Sequence, residues 1–201
     1  LSAGGCGKAP DGAGRASASG TGAVATSPVS APASSIPPPS PLLGERVART
    51  QWARSDDGKS SAPPHCAPLA LASAGGTPAT ARAADFSGGW GVAFDLPGLR
   101  SAYGFAGPGV LPQDAAPLAA QRARLDRQWP YMRDLPKLPP SSFAGYGLSG
   151  AQAYPADNPQ GHGLQSVAYV RVGGQQCTYN VWSRISRTHL ETLLDNLRLL
   201  R

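Results

Sequence analysis

The stretch VAYVRVGGQQCTYNVWSRISRTHLETLLDNLRLL, residues 167–200, decides the fold class. Val167 to Val172 alternates in a way that predicts a strand. Gly173-Gly174 suits a two-residue hairpin turn, and Gln176 to Ile185 is the expected return strand. In that strand Cys177, Tyr179, Val181 and Ile185 fall on one face, the expected inner one. A helix should follow. Thr188 and Glu191 form a T-x-x-E capping box, and Leu190, Leu193, Leu194, Leu197 and Leu200 then line one apolar stripe. A strand pair and an amphipathic helix pack into an α+β unit with a small antiparallel sheet.

Upstream, Trp90, Val92, Phe94 and Leu96 alternate with Gly91, Ala93 and Asp95, so Gly89 to Leu96 should be a strand with one buried face. Pro97-Gly98 ends it. Residues 99–113, rich in Gly and Pro, read as a loop or an irregular strand around Tyr103 and Phe105. One further helix is expected from an N-cap at Asp114 to Trp129, with Pro117 tolerated in its first turn and Pro130 as its stop. Residues 134–163 show no regular pattern. A loop of that length is uncommon in a compact domain and often carries function. It holds Phe143, Tyr146, Tyr154 and His162, the candidate binding residues. Nearer the start, Cys66-Ala-Pro-Leu-Ala-Leu-Ala should be the first strand. Residues 45–65, with Trp52, fit an edge strand or a short helix, and Asp56-Asp57-Gly58 signals a turn.

Residues 7–44 differ in kind. All fourteen aromatic residues lie from Trp52 onward, and Gly and Pro make up 46 of the 201 residues. An aromatic-free stretch of Ala, Ser, Gly, Thr and Pro cannot bury enough apolar area to offset an ordering cost of about 1–2 kcal/mol per residue. It is expected to be a tether, on the order of 120 Å when fully extended and roughly 35 Å on average. The folded domain should then occupy residues 45–201, with its start between 45 and 85.

The three cysteines are Cys6, Cys66 and Cys177. Cys6 follows Leu1-Ser-Ala-Gly-Gly5, small residues ahead of a cysteine and a polar tether. This resembles the end of a bacterial lipoprotein signal, although that pattern prefers Leu where this chain has Ala3. The resemblance implies a lipidated Cys6, an anchor in the membrane and a domain facing the periplasm. Cys66 and Cys177 would then remain as a pair, and an oxidising compartment would join them. A loop of about 110 residues closed in this way is worth roughly 4–5 kcal/mol in the chain-entropy account. The alternative is two separate buried thiols in a cytosolic protein.

Other chemistries find little support. The net charge is +6, but basic residues are spread along the chain. The densest group, Arg122, Arg124, Arg127 and Arg133, is interleaved with Asp126 and Asp134 and reads as a solvated helix face, so no nucleic-acid partner is expected. His65, His162 and His189 have no metal-ligand spacing, so neither a metal nor another cofactor is expected. Gly145-Tyr-Gly147-Leu-Ser-Gly150 matches G-x-G-x-x-G but lacks the strand-to-helix setting of a dinucleotide site, and reads as loop. Asp85, Asp95 and Asp157 are scattered carboxylates without a motif. The expectation is therefore a non-enzymatic cell-envelope lipoprotein whose domain binds a protein partner. The layout is similar to that of bacterial immunity or inhibitor lipoproteins: anchor, linker and small stapled domain. The alternative is an envelope hydrolase using loop 134–163 and His162; a Cys177 nucleophile beside His162 would need a free thiol, in conflict with the disulfide.

Overall fold

A computed structural model of the chain describes residues 40–61, 66–76, 78–85, 89–107 and 116–201. Cys6, His65, Asp114 and residues 7–39 of the expected tether lie outside them. The described residues form an α+β fold. Seven antiparallel strands make the main sheet: β2 (Thr80–Ala83), β3 (Trp90–Leu96), β4 (Leu99–Gly107), β5 (Tyr131–Asp134), β6 (Phe143–Leu148), β7 (Ser166–Arg171) and β8 (Thr178–Ser183). Their order across the sheet is β2-β3-β4-β8-β7-β6-β5. A second, two-stranded sheet pairs β1 (Leu69–Leu71) with β9 (Leu197–Leu199). The helices are α1 (Glu45–Trp52), α2 (Asp56–Lys59), α3 (Leu118–Gln128) and α4 (Arg187–Asn196), two more than the sequence pattern suggested.

The β7–β8 hairpin stands where residues 167–185 predict it. Gly173-Gly174 lies at the turn, closed by Gln175 N–H on the Val172 carbonyl, with Gly174 at φ 78°. The ladder itself ends at Arg171 and Thr178, so the connection is longer than two residues. Ala168, Val170, Tyr179 and Val181 point inward and are buried. They meet Trp90, Val92, Phe94, Tyr103 and Phe105 from β3 and β4, and Leu190, Leu193 and Leu194 from α4. Alternation alone places these residues on one face.

Several expectations need correction. Residues 99–107 are an irregular strand rather than a loop: Tyr103 and Phe105 alternate with Ala102, Gly104 and Ala106 and pair with both β3 and β8, with a shift in the β3 register between Phe94 and Leu96. The stretch 134–163 contains the end of β5 and all of β6, so it is not one long loop. Gly145 and Gly147 are strand residues rather than loop. A side chain at Gly145 would strike Trp129 and Leu125, and one at Gly147 would strike Pro130. The capping box is not used. Ser186 is the N-cap and accepts from His189 N–H at 3.0 Å, while Thr188 bonds Gln160 and Glu191 receives Tyr146. The last helix also stops at Asn196. Leu197 turns extended at φ −62°, ψ 140° and opens β9, so Leu197 and Leu200 reach the core from extended chain. Residues 45–52 resolve into a helix. α3 has Pro117 at its N-cap position.

The domain edge also begins earlier than residue 45. Leu43 exchanges two backbone hydrogen bonds with Leu71, and Gly44 turns at φ 76° against Phe94. The sulfurs of Cys66 and Cys177 stand 2.06 Å apart, with Cα atoms 5.5 Å apart. This is disulfide distance. Polar contacts lock the same junction. Trp90 Nε1 donates to the Cys66 carbonyl and Tyr179 Oη to the Ala67 carbonyl, each at 3.0 Å. Gln175 Oε1 accepts from Ala67 N–H at 2.8 Å.

Candidate functional site

The outer face of the main sheet is divided. Over β5, β6 and β7 it is covered by α3, whose Leu125, together with Trp129 just beyond the helix, packs on Phe143 with Met132, Val167 and Tyr169 around them. Tyr169 meets Trp129 edge-on at 5.2 Å and forms the border. On its far side lies a groove of about 510 Å³ lined by Ala84, Asp85, Ser101, Gln165, Val167, Tyr169, Asn180, Trp182 and Arg184. That volume falls within the range of small-ligand sites, about 300–1,000 Å³.

Alternation builds the groove. Val167 and Tyr169 are the outward residues of β7, opposite Trp182 and Asn180 on β8. Trp182 also pairs with Gly104 on β4, where a Cβ would collide with the indole. The ring lies across the strand only because that position is glycine, and its Nε1 reaches the Ser101 carbonyl at 3.4 Å. Ser101 has φ 50°, a left-handed conformation that costs a non-glycine residue energy. Two bonds hold it there. Its N–H donates to Asp95 Oδ1 at 2.6 Å, and its hydroxyl accepts from Arg82 Nη2. The Ser101 amide first, then Arg82, holds the Asp95 carboxyl below its ordinary range.

Asn180, directly across the ladder from Tyr169, lines the groove and is only 8 % exposed.

The four residues expected to share a binding loop are separated. Phe143 lies under α3 with Arg122 5.2 Å above its ring. His162 is exposed, and its backbone N–H rests on Asn158 Oδ1. Tyr146 and Tyr154 do come together, on the inner side of the sheet's β5 end. Tyr146 stacks on Tyr131 at 5.4 Å and donates to Glu191, while Tyr154 donates to Ser166. Arg187 stands 5.3 Å from the Tyr131 ring and 5.5 Å from that of Tyr154. Burial, reinforced by Glu191, raises the Tyr146 phenol, so it stays protonated and donating.

Sequence inspection gave no role to His189. Its Nδ1 lies 2.9 Å from Ser183 Oγ and its Nε2 3.0 Å from the Ala74 carbonyl. The carbonyl can only accept, so Nε2 carries the proton and Nδ1 accepts from the serine. Burial lowers the imidazole pKa. A serine beside a histidine suggests a nucleophile and base. Ser183, however, is 0 % exposed and its oxygen also accepts from Ile185 N–H. The pair ties α4 to the segment around Ala74. Among the described residues no group of three His, Cys, Asp or Glu is placed to hold a metal ion, and no helix is long and apolar enough to cross a membrane.

The groove residues Tyr169, Asn180 and Trp182 were legible in principle. They are the complement of the inward set in the same hairpin, and two aromatics on an outward face need an explanation. Comparison with protein-family models, curated proteins and solved structures finds no match.

Proposed function

We propose that this chain is a non-enzymatic cell-envelope lipoprotein whose domain binds a protein partner, as an inhibitor or immunity protein does. One observation carries this proposal: the groove on the outer sheet face, walled by Tyr169 and Trp182 with Asn180 beside them. Aromatic and amide side chains around a desolvated centre are the composition of interface hot spots. The Cys66–Cys177 pair at bonding distance supports an oxidising compartment, and with it the periplasmic side of the envelope. A lipid on Cys6 would supply the anchor and residues 7–39 the reach.

The hydrolase alternative rests on His162 and Cys177. His162 stands exposed in its loop, and the Cys177 sulfur is taken up by Cys66. These positions favour binding as the function.

The test has two arms. Expressed behind a lipoprotein leader, the chain should partition with membranes and lose that partitioning on Cys6→Ser. A partner co-purified from the envelope should be lost on Trp182→Ala with the fold retained. Equal solubility of both Cys6 forms would remove the anchor, and capture unaffected by groove substitutions would remove the binding face.

A further inference from the structure

After β1 the chain leaves the two-stranded sheet through residues 72–76 on its way to β2. Ala72 N–H still donates to the Asn196 carbonyl, and Gly75 N–H donates to Ser73 Oγ inside the segment. Among the described residues, one hydrogen bond ties residues 73–76 to the rest of the domain: His189 Nε2–H on the Ala74 carbonyl at 3.0 Å. A cavity of about 140 Å³ lies between Ala74, Gly75 and Gly76 on one side and Leu96, Tyr103 and His189 on the other. The ring of His189 therefore has room to move once its bonds are broken.

This pin suits only a neutral imidazole. Nδ1 accepts the Ser183 hydroxyl at 2.9 Å, and Ser183 Oγ accepts from Ile185 N–H at 3.1 Å. Protonation puts a hydrogen on both ring nitrogens. The Ser183 hydroxyl then loses its acceptor at a position that is 0 % exposed and closed to water. The groups facing the ring do not compensate the charge. They are Tyr103 of β4, edge-on at 4.9 Å, Ser183 of β8 and the Ala74 carbonyl, with Leu96 of β3 and Ile185 beside the cavity. On α4 itself, Glu191 is engaged by Tyr146 and Arg187 lies over Tyr131 and Tyr154. His189 is also the third residue of α4, where the positive end of the helix dipole opposes a cation. We propose that His189 is an acid-operated latch. Neutral, it holds residues 73–76 closed over the cavity; protonated, it leaves Ser183 and Ala74 for water and frees them.

The test is hydrogen exchange of the full chain at pH 7.5 and pH 5.0, corrected for the intrinsic pH dependence of amide exchange and repeated in low urea. A freed segment leaves His189 with an ordinary imidazole, so the open population should rise several-fold at pH 5.0, to at most about thirtyfold. The amides of residues 72–76 should show that rise without dependence on urea, which marks local opening. The β7–β8 amides should exchange far more slowly and follow urea. His189→Gln, neutral at both pH values, should abolish the rise. The urea series uses the unaltered protein, so it decides the matter even if the substituted chain fails to fold. Exchange of residues 72–76 that is the same at both pH values would overturn the inference. So would a rise that follows urea together with the hairpin, which is global unfolding, or an equal rise in His189→Gln.

Discussion

The two faces of the β7–β8 hairpin are built from the same twelve strand residues and meet opposite requirements. On the inner face every side chain is matched. Ala168, Val170, Tyr179 and Val181 pack into the core, Ser183 bonds His189, and even the Tyr179 hydroxyl finds the Ala67 carbonyl. On the outer face Val167 and Tyr169 reach the edge of the α3 cover, while Asn180 and Trp182 line the groove. Packing accounts for the inner set; the outer set turns two aromatic rings and an amide towards a groove, a composition suited to recognition.

The largest effect should come from the inner face. Phe105→Ala removes a fully buried ring between Trp90 and Phe94. Urea denaturation should show a loss of about 3–5 kcal/mol. A loss below about 1 kcal/mol would mean that the inner face is not the core.

Next is the staple. The double change Cys66→Ala, Cys177→Ala should cost about 2–5 kcal/mol, enough to unfold a marginal domain. Reduction of the unaltered protein should lower its melting temperature in parallel. A melting temperature indifferent to reductant would show that the two sulfurs are not joined.

A smaller effect concerns pH. Burial lowers the folded-state pKa of His189 below its ordinary 6.5. The folded protein thus binds fewer protons than the unfolded chain in this range. The contribution of His189 is fully present above about pH 6.5 and is lost as pH falls through the lowered folded value. Urea midpoints should decline from pH 7.5 towards 5, and His189→Gln should flatten that slope. Asp95 acts in a separate, more acidic window, because its carboxyl is held below the ordinary 3.8. An unchanged slope in His189→Gln would assign the dependence elsewhere.

Periodicity made the inner face legible. The alternation of Trp90, Val92, Phe94 and of Cys177, Tyr179, Val181 predicts which side is buried, and the leucines of α4 predict its packing. Three things were hidden for physical reasons. β6 is masked because Gly145 and Gly147 are small to admit Trp129 and Pro130, and glycines read as loop. β9 is masked because Leu197 and Leu200 continue the helical leucine spacing beyond the point where the backbone turns extended. The aromatic and histidine residues of 134–163 read as one loop because the glycines of β6 hide its alternation. Once β6 is in place, alternation sends Phe143 and Tyr146 to opposite faces. The groove depends on a long-range pairing, β4 beside β8, which puts Gly104 under Trp182. No local pattern announces that neighbour.

Trp182→Ala tests most directly whether the groove serves recognition. Urea unfolding and capture of the envelope partner should be measured on the same preparation. The chain should still unfold cooperatively, while partner affinity falls at least about tenfold, as expected for the loss of an aromatic hot spot. Undiminished capture by a chain that has lost stability would contradict the account and make Trp182 a structural residue.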